Sequence, residues 1–149
     1  MVTMVGTESS LAKLLSNLVE LDFDAIEAYQ VAIDKLDDTG YKTRLAEFMK
    51  DHERHTRELG IVLEQMGEDA PDSADIMRFL TKGKVYLGNL FGDKQILMAM
   101  KANEEVTNKA YEAAVKHKDA PAETRQILER NLADERRHRA WIDETLERL

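Results

Sequence analysis

The sequence Asp51-His52-Glu53-Arg54-His55 occurs again in closely similar form as Asp134-Glu135-Arg136-Arg137-His138, 83 residues further along the chain. The apolar residues around both copies recur every three or four positions, which is typical of amphipathic helices. Residues three or four positions apart project from the same face of a helix, so the last histidine of each copy lies beside the residue three positions before it. The repeat therefore predicts two related helices that present acids and histidines to a common site.

Helical periodicity extends over most of the 149 residues and predicts four long helices. Their expected bounds are about Ser10 to Leu36, Lys42 to Met66, Asp93 to His117, and Pro121 to the C terminus. The stretch of residues 37–40 contains a glycine and is expected to end the first helix, and proline is favoured in the first turn of a helix such as the fourth. The same periodicity places Met66 and Leu149 among the inward-facing residues.

The interval from residue 67 to residue 92 does not follow this pattern. It begins with an acidic, loop-like stretch at residues 68–75 and continues with an apolar stretch at residues 76–91 that contains glycines at 83 and 88. We expect a long crossover that carries a short helix and joins two hairpins with short connections. The sequence thus predicts an all-α single domain over residues 1–149, an antiparallel four-helix bundle with a tail at residues 1–9.

The composition argues against several classes of function. The chain has 29 acidic and 21 basic residues and a net charge of −8, so it repels nucleic acids and anionic membrane surfaces. It has no cysteine, which removes disulfides, thiol nucleophiles and cysteine-based metal sites. The N-terminal residues do not resemble a signal peptide, and no apolar stretch is long enough to span a bilayer. We expect a cytoplasmic protein that binds neither nucleic acid nor membranes.

Ionisable side chains interrupt the apolar faces of all four predicted helices. Periodicity places six of them in the interior: Asp22, His52, His55, Glu104, Glu135 and His138. Buried charges without partners are costly, and a divalent metal ion would hold the carboxylates ionised and the histidines neutral. The alternative is a metal-free core in which the acids and histidines pair with one another. A different helical register would bring in Glu20, Glu27, Glu53 or Glu105 instead.

A shared spacing of acid and tyrosine supports an internal twofold repeat. Tyr29 follows Asp22 by seven positions, and Tyr111 follows Glu104 by seven. Helices 1 and 3 each carry one acid, and helices 2 and 4 each carry a possible ligand three positions before a histidine. In this pattern the chain resembles the ferritin-like superfamily of carboxylate di-iron four-helix bundles, which includes rubrerythrins and bacterioferritins. Residues 134–138 are similar to the Asp-Glu-x-Arg-His signature of its oxygenase and desaturase branch.

The resemblance implies a role for each residue of the repeat. It makes the six interior acids and histidines metal ligands. It makes Asp51 and Asp134 acceptors for the outer nitrogens of the histidines, each on the opposite helix, with Arg54 and Arg137 balancing their charge. Tyr29 and Tyr111 are expected beside the ligands, as core aromatics rather than as redox residues.

The chain departs from the family pattern in its first half. His52 stands where the family has a glutamate, and Asp22 is one methylene shorter than the usual acid. These changes move the ligand set toward three carboxylates and three histidines, which is closer to a mononuclear site or to zinc. Iron, as one or two ions per chain, is the expected cofactor, and zinc and manganese are the alternatives.

If iron binds, the resemblance implies a non-haem oxidoreductase in which ferrous ion reacts with oxygen or peroxide, as a ferroxidase or a peroxide scavenger. The alternatives are a mononuclear or zinc-binding module without turnover and a metal-free structural or stress-related bundle. The apolar segment from Phe79 to Phe91 exceeds what a surface connection needs, so a homodimer is a further expectation.

Overall fold

Four long helices make up most of the molecule. The computed structural model describes residues 5–72, 87 and 89–149, and within these residues it contains no β-strand. The helices are α1 (Leu11–Lys35), α2 (Thr39–Gln65), α3 (Asp93–Ala114) and α4 (Ala122–Glu147). The predictions of an all-α chain and of four long helices are confirmed, and each predicted end lies within three residues of the observed one.

The first connection is shorter than the sequence suggested. α2 begins at Thr39 rather than near Lys42, because the Asp38 side chain accepts a hydrogen bond from the Tyr41 backbone N–H at 2.9 Å and caps the first turn. Gly40 therefore lies inside that turn and not in a linker. The short connection leaves α1 and α2 as an antiparallel hairpin.

The end of α3 also differs from the prediction. The helix stops at Ala114, before the expected His117, and the chain turns toward α4. Arg125 of α4 binds the carbonyl oxygens of this turn: it donates to His117 at 2.8 Å, to Ala120 at 3.1 Å and to Val115. These bonds join the first turn of α4 to three carbonyl groups of the turn after α3 and so hold the connection in place.

The helices pack as two hairpins, α1 with α2 and α3 with α4, which contact each other through α1 with α3 and α2 with α4. This arrangement is consistent with a four-helix bundle. The buried apolar residues form two clusters, one around Leu18, Leu59 and Leu132 and the other around Ala25, Phe48 and Ile142. Asp22 lies between Leu18 and Ala25 on α1, so a polar layer separates the two apolar clusters.

Two residues predicted to face inward do not. Met66 is 42% exposed and Leu149 is 48% exposed. α2 ends at Gln65 and α4 at Glu147, so both side chains lie beyond the last turn that a neighbouring helix covers. Periodicity identifies which face of a helix is apolar, but it does not show where packing against the neighbouring helices ends.

Parts of two predicted segments lie outside the described residues. The short crossover helix and most of the apolar stretch from Phe79 to Phe91 fall on residues 73–86 and 88, and residues 1–4 belong to the predicted tail. No helix in the described part of the chain is both long and apolar enough to cross a membrane.

Candidate metal centre

The structure brings all six predicted interior residues together in the polar layer. They come from all four helices and are at most 1% exposed: Asp22 from α1, His52 and His55 from α2, Glu104 from α3, and Glu135 and His138 from α4. Among the described residues, two groups of acids and histidines are close enough together to hold a metal ion. Neither group contains the glutamates of the alternative register, Glu20, Glu27, Glu53 and Glu105.

The first group consists of Asp22, His52, His55 and Glu135, with one donor atom of each within 4.8 Å of the others. Asp22 Oδ1 lies 2.7 Å from His52 Nδ1 and 3.2 Å from His55 Nδ1. Glu135 Oε1 lies 3.4 Å from each of the same two nitrogens. Two carboxylate oxygens and two imidazole nitrogens thus surround one point.

The second group consists of His52, Glu104, Glu135 and His138, again within 4.8 Å. Glu104 Oε1 lies 3.4 Å from His52 Nε2 and 3.3 Å from His138 Nδ1. Glu135 Oε2 lies 3.7 Å from His138 Nδ1. His52 and Glu135 therefore belong to both groups, and each presents a different atom to each.

The outer nitrogens of His55 and His138 are bound by aspartates from the opposite helix. His55 Nε2 lies 2.9 Å from Asp134 Oδ2, and His138 Nε2 lies 2.8 Å from Asp51 Oδ2. This is the crossed arrangement that the sequence led us to expect. An outer carboxylate keeps the proton on Nε2 of a neutral imidazole, so the lone pair of Nδ1 faces the centre.

Two of the three arginines of the repeat, Arg54 and Arg137, bind these aspartates. Arg137 donates to Asp51 at 2.6 Å, and Arg54 binds Asp134. Asp51 and Asp134 are 17% and 14% exposed, so they form the boundary between the buried centre and the surface. The repeated sequence thus supplies an inner histidine, an outer aspartate and a surface cation from each of α2 and α4.

The two tyrosines also donate hydrogen bonds to carboxylates of the opposite hairpin. Tyr111 donates to Asp22 Oδ2 at 2.6 Å, and Tyr29 donates to Glu104 Oε1. Burial, and then the neighbouring carboxylate, raise the pKa of both hydroxyls well above the usual value for tyrosine. Both tyrosines therefore stay neutral and orient the carboxylates by hydrogen bonding.

Three further residues at the centre were not singled out from the sequence. The Thr107 hydroxyl lies 2.9 Å from Glu135 Oε2 and 3.2 Å from Glu104 Oε2, and Asn108 donates to the Glu104 carbonyl at 2.7 Å. Phe48 stacks on the His138 ring at 4.2 Å between centroids. The available signal was position, since Thr107 and Asn108 follow Glu104 by one helical turn.

The carboxylates favour positively charged histidines in the absence of a metal. Burial alone would lower the pKa of His52, but Glu135 and Asp22 raise it to about 9. In the same way, carboxylates outweigh burial at His55 and His138 and raise both pKa values to about 11. A metal ion that binds here must therefore displace protons from imidazole.

The donor set fits a divalent transition metal. Glu135 Oε1 is buried and accepts no hydrogen bond among the described residues. Most distances between the candidate metal-binding atoms are 3.2 to 3.7 Å, which is longer than a strong hydrogen bond. Metal bonds of about 2.0 to 2.2 Å would hold neighbouring ligand atoms about 3.0 to 3.5 Å apart. Carboxylates mixed with imidazoles suit iron, zinc or manganese.

Comparison with known proteins identifies one family. No curated protein and no solved structure matches the sequence. The sequence model of a family described as a domain of unknown function (DUF2383) matches residues 10–117, which include all of α1, α2 and α3. That match covers four of the six interior ligand candidates, Asp22, His52, His55 and Glu104. Because it spans well over half of the 149 residues, the chain belongs to the DUF2383 family.

Proposed function

We propose that this chain is a ferritin-like metalloprotein that binds iron at the buried centre and reacts ferrous ion with oxygen or peroxide, as a ferroxidase or a peroxide scavenger. The observation that supports this proposal is the convergence of three carboxylates and three imidazoles in two groups that share His52 and Glu135, with Glu135 Oε1 buried and accepting no hydrogen bond among the described residues. A bound iron ion would supply a redox-active cation with open positions for a small oxidant.

The residues around the centre would hold the ligands in their binding state. Asp134 and Asp51 fix the outer protons of His55 and His138 and leave the inner nitrogens as donors. Tyr29 hydrogen-bonds to the carboxylate of Glu104, and Tyr111 to that of Asp22 on α1. The apolar clusters on both sides of the polar layer exclude bulk water, which strengthens each electrostatic contact.

The proposal extends to two features of the crossover, which lies mostly outside the described residues. It includes a ferritin-like crossover over residues 67–92 and a homodimer that covers the apolar part of that crossover. Cysteine is absent, so the electron donor for a redox cycle would be a separate protein or metabolite.

Metal retention after ligand substitution tests the proposal. Glu135→Ala and His138→Ala each remove a donor atom from the centre, and we expect at least a 100-fold loss of affinity for Fe(II) or Co(II) relative to the unchanged chain. Glu27→Ala is the matched control, because Glu27 lies on α1 outside both groups and should leave affinity unchanged. The measurement is chelator competition under anaerobic conditions, followed by oxygen and peroxide consumption by the loaded protein.

A metal-free core is the second candidate, and one observation favours it. The inner and outer nitrogens of all three histidines have carboxylate oxygens within 3.4 Å, so three imidazolium ions would neutralise the three buried carboxylates. Under this function the folded chain retains no metal, and substitutions at Glu135 and Glu27 do not differ in metal content. Metal retention without oxidant consumption would instead identify a binding module without turnover.

A further inference from the structure

The two halves of the centre are not equivalent, although the bundle repeats itself. His55 corresponds to His138 and Asp51 to Asp134, and these pairs make matching contacts. The exceptions are His52, which occupies the place of Glu135, and Asp22, which occupies the place of Glu104. Both departures lie in the hairpin of α1 and α2, so that half of the centre has one carboxylate fewer than the other half.

His52 and Glu135 are the residues that the two groups share, but they differ in what they can supply. Glu135 presents Oε1 to the first group and Oε2 to the second, and each oxygen carries lone pairs. His52 presents Nδ1 to the first group and Nε2 to the second. A neutral imidazole has one lone pair and one N–H, so His52 completes only one group at a time.

The charge of the centre leads to the same conclusion. Asp51 and Asp134 are balanced by Arg137 and Arg54, so the charge inside is set by Asp22, Glu104 and Glu135. Three carboxylates and one divalent ion leave one negative charge, whereas a second divalent ion would reverse it to an uncompensated positive charge. The first ion lowers the unpaired charge from three to one, whereas the second only exchanges one negative charge for one positive charge. In a site that is at most 1% exposed, the second ion therefore gains no further neutralisation.

We propose that the centre retains one divalent ion per chain and that His52 is the residue that sets this number. The inference rests on the proposed metal-binding function and deepens it. A glutamate at position 52 would supply an oxygen to each group, as Glu135 does, and would add a fourth carboxylate. Two divalent ions are then balanced by four carboxylates, so His52→Glu should convert a one-ion centre into a two-ion centre.

The test is a metal count on the full chain. Metal-free protein is loaded anaerobically with Fe(II), and separately with Co(II) and Zn(II), then desalted and measured for metal and protein. We expect one ion per chain for the unchanged protein and two for His52→Glu. Gln65→Glu is the matched control, because it adds the same carboxylate to the exposed end of α2, and it should retain one ion.

A titration of the unchanged protein with Co(II), followed by visible absorption, keeps the inference testable even if His52→Glu does not fold. We expect saturation at one equivalent. Saturation at two equivalents would overturn the inference and leave the proposed metal-binding function intact. No binding by the folded, unchanged protein would instead contradict the proposed function. A folded His52→Glu variant that still retains one ion would overturn the role assigned to His52.

Discussion

Within the centre, single side chains depend on hydrogen-bond partners that belong to the opposite hairpin. Tyr111 of α3 reaches Asp22 of α1, and Asp134 of α4 reaches His55 of α2. These two interior side chains are thus oriented by residues distant in sequence. Substitution of such a residue should weaken the attachment of the two hairpins even when no metal is bound.

Tyr111→Phe tests the expected weakening of the attachment between the two hairpins by removing a single oxygen atom. The change removes the hydroxyl that donates to Asp22 Oδ2 at 2.6 Å and leaves a buried carboxylate oxygen without that donor. Hydrogen bonds to charged groups contribute about 1.5 to 3 kcal/mol, so we expect the metal-free protein to lose about that much free energy of unfolding. Urea denaturation followed by circular dichroism measures it.

Tyr41→Phe is the control for this substitution. Tyr41 is half-buried and packs edge-on against Trp141 with 5.8 Å between ring centroids, a contact that phenylalanine preserves. The free energy of unfolding should change by less than about 0.5 kcal/mol. Equal effects of the two changes would show that the hydroxyl of Tyr111 has no special role in stability.

At the scale of elements, the ends of the helices are determined by side chains that bind backbone groups. Asp38 caps α2, and Arg125 holds the turn after α3. The segment before α1 is fixed differently. Gly6 has a φ of +104°, and a Cβ atom there would lie 2.6 Å from the Ala110 carbonyl oxygen and 2.7 Å from Ala113 Cβ. Residues before α1 therefore pack closely against α3.

Gly6→Ala should destabilise the protein for two reasons, an unfavourable φ and a collision with α3. We expect a loss of about 1 to 3 kcal/mol in the free energy of unfolding, measured by thermal or urea denaturation. Gly67→Ala separates the two causes, because Gly67 has a φ of +80° but no heavy atom within 4 Å of the added Cβ. It should cost less, about 1 kcal/mol. Similar losses for both would mean that the contact with α3 contributes nothing.

At the scale of the whole molecule, the polar layer makes stability depend on pH. In an unfolded chain histidine has a pKa near 6.5, whereas folding raises the pKa of His52 to about 9 and those of His55 and His138 to about 11. A group whose pKa is raised by folding stabilises the folded state below its unfolded pKa. That contribution is lost as the pH rises through the folded pKa.

The melting temperature of the metal-free protein should therefore fall as the pH is raised from about 7 to about 10. A bound metal ion keeps the imidazoles neutral, so the protein loaded with Zn(II) should show a smaller fall over the same range. Differential scanning calorimetry of both forms measures the difference. Parallel curves would contradict the assignment of the raised pKa values to His52, His55 and His138.

Much of this architecture was accessible from the sequence because helices are local structures. Hydrophobic periodicity identified four helices, and the repeat of residues 51–55 at 134–138 identified the faces that carry acids and histidines. The same local reasoning did not find Thr107 or Phe48 at the centre, since an ordinary core threonine or phenylalanine has the same pattern. It also wrongly predicted that Met66 faces inward, because burial at the end of a helix depends on how far the neighbouring helices extend.

Local patterns in the chain were enough to predict the class of fold, the approximate helix bounds and the six ionisable residues that fall on buried faces. How these residues combine depends on tertiary packing, because the packing of the hairpins sets distances between side chains up to 89 positions apart in the chain. The packing placed His52 and Glu135 in both groups and left Glu135 Oε1 buried and accepting no hydrogen bond among the described residues. Periodicity specifies which face of a helix is buried, whereas the choice of partner atoms follows from how four such faces meet.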